Sequence, residues 1–153
     1  MAAIVNFPAV YCWNILAATG MALHVIYIGG AYAGYARKKY GIKYPDMGSG
    51  RHSQRLTDVQ WEEFNNYQRA HGNYVEGVSS AITFQLLSGL FYPKAAAIWG
   101  LVYLIGRQIY AMGYARSGSN GRMVGALLLD VALVAKLGLI VTGCLKMLGY
   151  ISQ

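Results

Sequence analysis

Residues 7 to 35 contain no Lys, Arg, Asp or Glu. A membrane helix needs about 20 predominantly apolar residues, so this run is long enough to cross a bilayer with length to spare. Three further stretches, at about 62–91, 95–115 and 124–148, are largely apolar. With the first, read over 7–36, they define an all-α chain. It is an integral membrane four-helix up-down bundle, with residues 1–153 forming one four-span domain. Composition agrees. The chain is 56% hydrophobic and 12% charged, whereas a soluble domain carries about 25% charged residues. The net charge of +7 points to an anionic neighbour. The basic residues sit beside the apolar runs, so that neighbour is membrane lipid. No recognition motif supports nucleic acid as a partner.

We read His24 as the one strongly polar group of the first run, an imidazole facing a neighbouring helix and not a ligand. The run ends at Arg37, Lys38, Lys39 and Lys43, with Tyr44-Pro45 breaking the helix. Residues 46–58, polar and rich in Gly and Ser, read as an exposed loop, and Trp61 and Tyr67 as interfacial anchors. Between 37 and 60 there are six basic and two acidic residues. The connection 116–122 carries Arg116 and Arg122, while the turn 92–94 has only Lys94. Positive charge favours the cytosolic side. Both basic connections are therefore expected in the cytosol and both termini on the other face. Cys12 and Cys144 lie in apolar segments, without CxxC or metal spacing. No basic stretch precedes the first run, so it is expected to act as its own anchor rather than a cleaved leader.

Two polar stripes carry the chemistry. Arg69, Asn73 and Glu76 stand at i, i+4 and i+7, on one helical face just before the apolar run that starts at Val78. Tyr103, Arg107, Tyr110 and Tyr114 share a face of the next helix. Ionisable groups at the lip of a membrane helix are costly and mark function. In the up-down topology Arg37, the first stripe, Tyr110, Tyr114 and Arg122 reach one depth. Guanidinium groups grip carboxylates bidentately. A carboxylate and an amide suit an ammonium or peptide groups. The set describes a pocket for a small zwitterion bearing more than one carboxylate. The sequence has no metal-ligand cluster, phosphate loop or nucleophile–base arrangement, so an enzyme of this kind would activate something its ligand brings. In structural terms the tyrosines are packing aromatics, Arg107 a member of an interior ion pair, and Lys39 and Lys43 topology charges.

The segments Ala36-Arg37-Lys38-Lys39-Tyr40 with Tyr44-Pro45, Gln68-Arg69-Ala70-His71-Gly72-Asn73 with Glu76, and Gly100-Leu101-Val102-Tyr103 with Arg107, Tyr110 and Gly113-Tyr114 carry a resemblance. The chain resembles the MAPEG family of membrane glutathione proteins, nearest to its branch of type 3 microsomal glutathione S-transferases. The resemblance runs from about Tyr35 to Leu148. It implies a homotrimer in the endoplasmic reticulum membrane, with glutathione as co-substrate, no metal, and the active site at the cytosolic face between adjacent subunits. Arg69, Asn73, Glu76, Tyr110 and Tyr114 would bind glutathione from one subunit, with Arg37 and His71 from the next. Arg122 would stabilise the thiolate once one inserted residue in 118–121 is allowed, with Arg116 as the alternative. The expected reactions join that thiolate to lipophilic electrophiles or reduce lipid hydroperoxides. The competing expectation is a non-enzymatic lipid-presenting protein of the lipoxygenase-activating type. A transporter using Arg107, Asp130 and Lys136 would need broken helices that are not evident.

The chain also departs from the pattern. Gly77 stands where the related leukotriene synthase has a tyrosine, and Lys38 where it has a second arginine. Asp130 and Lys136 take no role from the resemblance. Six residues apart, they lie on different helical faces and are not expected to pair.

Overall fold

The computed structural model describes residues 8–152. It is all-helical, as the hydrophobic pattern requires. The first rod is built from α1 (Cys12–Ile28), a π-helical turn (Gly29–Gly34) and α2 (Tyr35–Tyr40). The others are α3 (Asp58–Phe91), α4 (Pro93–Gly121) and α5 (Met123–Met147). Gly41 ends the first rod in the left-handed region, at φ 63°, where a Cβ would be strained. Thr57 and Gln60 form a reciprocal capping box at the start of α3, and Pro93 occupies the first turn of α4.

Three rods are long and apolar enough to cross a membrane: Ala9–Tyr40, Pro93–Gly121 and Met123–Met147. The sequence pattern predicts a fourth span at 62–91, but α3 falls short of that measure. The reason is its first half, which carries Asp58, Glu62, Glu63, Arg69, Asn73 and Glu76. With 34 residues, α3 is about 50 Å long at 1.5 Å per residue, well beyond a hydrocarbon core of about 30 Å. It packs against α1, α4 and α5, so several of its polar groups are satisfied inside the bundle.

Asn14 corrects our reading of the first run. It is fully buried, and its amide donates to the Pro93 carbonyl at 3.0 Å. Gln85 donates to Asn14 Oδ1 at 2.7 Å and to the Ala96 carbonyl at 3.0 Å. One amide pair thus joins α1, α3 and the start of α4 in an apolar interior, where an unpaired amide is expensive. His24 does face neighbouring helices, with ring nitrogens 3.3 Å from the Tyr74 hydroxyl and 2.9 Å from Gln108 Oε1.

The connection between the first and second rods is also more ordered than its composition suggests. Asp46 is buried and accepts from the N–H groups of Gly48, Gly50 and Ser53 at 2.9, 2.9 and 2.7 Å, and from the Ser53 hydroxyl at 3.1 Å. Burial alone would raise this carboxyl, but the four donors outweigh it and hold it well below the usual carboxylate range. Trp61, read as an interfacial anchor, donates its indole N–H to Gly48 O at 2.5 Å. Ile42 packs with Ala36 and Phe64 beneath the loop, and Lys39 pairs with Glu63 at 2.5 Å.

Candidate functional site

The last two rods come together along a glycine seam. A Cβ at Gly113 would run into the carbonyl of Gly121, and one at Gly121 into that of Gly113. A Cβ at Gly125 would strike the backbone of Tyr110. Just before this contact α4 breaks at Ser117 and Gly118, with Gly118 at φ 61°. The sequence suggested a short loop over 116–122; the helix instead continues to Gly121 with this interruption. The interruption and the seam return the chain so that Arg122, at the head of α5, lies beside Tyr110 and Tyr114.

Arg122 Nη1 donates to the Tyr110 hydroxyl at 3.1 Å. Its guanidinium lies 5.9 Å from the Tyr110 ring centroid and 5.4 Å from that of Tyr114. Asn73 of α3 donates to the same Tyr110 hydroxyl at 2.6 Å. Asn73, Tyr110 and Arg122, spread over 49 positions of sequence, thus meet at one oxygen. Asn73, Arg107, Tyr110 and Arg122 line a cleft of about 390 Å³ whose remaining wall is Met123, Ala126, Leu129 and Asp130 of α5. Two guanidiniums beside phenol and amide groups make this cleft suited to an anion.

Arg107 lines the interior as expected, but no carboxylate lies within 4 Å of it among the described residues. It donates to the Tyr103 hydroxyl at 2.9 Å and the Asn73 carbonyl at 3.3 Å. Its guanidinium lies 4.7, 5.3 and 5.7 Å from the ring centroids of Tyr74, Tyr103 and Tyr110. Gly77 explains how it fits, since a Cβ there would sit 2.8 Å from Arg107 Nη2. The departure at Gly77 therefore makes room for a buried cation.

The other candidates are placed elsewhere on this chain. Arg69 and Glu76 are exposed on α3. His71 is half-buried and packs on Gly29, in the π-helical turn of the first rod. Arg37 is buried under its own loop, where it donates to Ile42 O at 3.4 Å and Met47 Sδ at 2.7 Å and lies 3.9 Å from the Tyr44 ring centroid. Arg116 lines a separate cleft of about 430 Å³ with Glu62, Glu63, Asn66 and Tyr67. Lys136 does not pair with Asp130. It is fully buried, its ammonium has no hydrogen-bond partner, and it lies 4.7 Å from the Tyr103 ring centroid.

Helical rods able to span a membrane, closed around a cationic, phenol-lined cleft near one end, define a membrane protein that handles a small anionic ligand beside lipid. Residues 15–142 match the MAPEG family, and the chain belongs to it. That family consists of membrane proteins and includes glutathione transferases, glutathione peroxidases and leukotriene synthases.

Proposed function

We propose that this chain is a membrane glutathione S-transferase and peroxidase of the type 3 microsomal branch, working as a homotrimer in the endoplasmic reticulum with its site at the cytosolic face. The observation that carries the reading is the Arg122 guanidinium, held at Tyr110 and Tyr114 on the rim of a cleft open to the bundle surface. A free thiol has a pKa of about 8.5, and its thiolate is the nucleophile. A guanidinium in a poorly screened cleft favours that thiolate. The protein then contributes charge stabilisation and proximity. Lipophilic electrophiles or hydroperoxides reach the sulfur laterally from the bilayer.

In this reading Asn73, Tyr110 and Tyr114 hold glutathione within the cleft. Arg69 and Glu76 are exposed on α3 because their share of the tripeptide lies at the boundary with a second copy. Arg37 and His71 reach glutathione bound to that neighbouring copy. Arg116 faces a different cleft from Tyr110 and Tyr114, which favours Arg122 as the thiolate-stabilising group. The test is ultraviolet difference spectroscopy of purified protein titrated with glutathione at neutral pH. A thiolate band near one equivalent per site is expected. Protein that neither binds glutathione nor conjugates it to a hydrophobic electrophile would exclude the reading.

A further inference from the structure

Asp130 stands out on physical grounds. It lies within the membrane-spanning α5 yet is exposed on the chain's surface. No described residue pairs with it or hydrogen-bonds to it. A carboxylate at such a position is costly unless it serves a ligand or pathway. Asp130 also lines the same cleft as Arg122, on the face shared by Met123 and Ala126 at i, i+3 and i+7. Eight residues separate it from Arg122, about 12 Å along the helix. The cleft therefore has two chemically distinct ends. One holds the guanidiniums of Arg107 and Arg122. The other is an apolar wall of Met123, Ala126 and Leu129 ending in a single carboxylate.

We propose that Asp130 is a specificity-determining residue that selects uncharged lipophilic electrophiles over lipids bearing a free carboxylate. The inference rests on the glutathione reading. With the sulfur at Arg122, both guanidiniums are committed to the tripeptide, and the second substrate lies along the α5 wall toward Asp130. A free-acid lipid there brings one carboxylate near another in a poorly screened place, where like charges repel strongly. An ester or other neutral lipid meets no such repulsion. Leukotriene-type chemistry on free-acid epoxides is disfavoured for the same reason.

The experiment compares a long-chain enone fatty acid with its methyl ester as glutathione acceptors, using the full chain in detergent. Wild-type protein is expected to favour the ester. In Asp130→Asn the acid-to-ester ratio of kcat/KM should rise about tenfold, while Asp130→Glu, which keeps the charge, should retain the wild-type ratio. An unchanged ratio in Asp130→Asn overturns the proposal, as does an equal rise in Asp130→Glu. Altered oligomeric state in both variants would assign the carboxylate to a contact between copies and also overturn it. Wild-type protein inactive on both acceptors and showing no thiolate band would fail at the glutathione reading itself.

Discussion

At the scale of single residues, the two arginines near the end of α4 make different predictions because they face different clefts. Arg122→Ala should lower kcat by roughly 100-fold, the size expected when a preorganised charge on a developing anion is lost, with little change in glutathione affinity. Arg116→Ala should stay within about threefold of wild type. Steady-state kinetics on both variants, with glutathione binding measured separately, checks the pair; the reverse ranking would move the role to Arg116. The stripes Arg69–Asn73–Glu76 and Tyr103–Arg107–Tyr110–Tyr114 are legible in sequence because helical spacing is a local property. The meeting of Asn73 and Arg122 at the Tyr110 hydroxyl is not, since no periodicity says which helices are neighbours. Gly77 illustrates the same limit. It reads as a missing tyrosine, and its significance emerges only when the Arg107 guanidinium is found against it.

At the scale of elements, rods were easier to recognise than their connections. Charge-free runs disclose membrane helices, whereas loop order depends on which oxygen collects the backbone N–H groups. The run Asp46-Met47-Gly48-Ser49-Gly50 does carry a signal, an acidic side chain followed by small residues able to turn their N–H groups back toward it. The Asn14–Gln85 pair carried none, because its members are 71 positions apart. The Asp46 network predicts a pH dependence. Its carboxyl is lowered in the fold relative to an unfolded aspartate near 3.9. Its stabilisation is therefore complete above that value and declines as pH falls below it toward the folded value. Limited proteolysis between residues 41 and 57 should accelerate below about pH 4 in the wild type. Asp46→Asn should be cut readily at pH 7 and change little on acidification. A variant as resistant as wild type at pH 7 would show that the loop is ordered by other contacts.

At the scale of the whole molecule, the basic connections gather at one end of the bundle and the Tyr92 turn at the other. The excess of Arg and Lys predicts that the first end is cytosolic. In a Cys12→Ser, Cys144→Ser background, Gln54→Cys should react with an impermeant maleimide on right-side-out cytosolic exposure of microsomes. Lys94→Cys in the same background should react only after the membrane is opened. Labelling in the opposite order would invert the topology and put the site on the wrong side for cytosolic glutathione. Large apolar side chains along α1, α4 and α5, such as Leu16, Ile26, Leu101, Leu127 and Val134, are exposed on the isolated chain, as lipid or further copies around the bundle require.

The glycine seam between α4 and α5 has a consequence for redesign. The separation of those two helices governs both the room in the cleft and the reach of Arg122 to Tyr110. Widening the gap to admit bulkier substrates would carry the guanidinium away along with the wall. Capacity and activation are geared together here, and changing one without the other means working from the α3 side, where Gly77 and Asn73 stand.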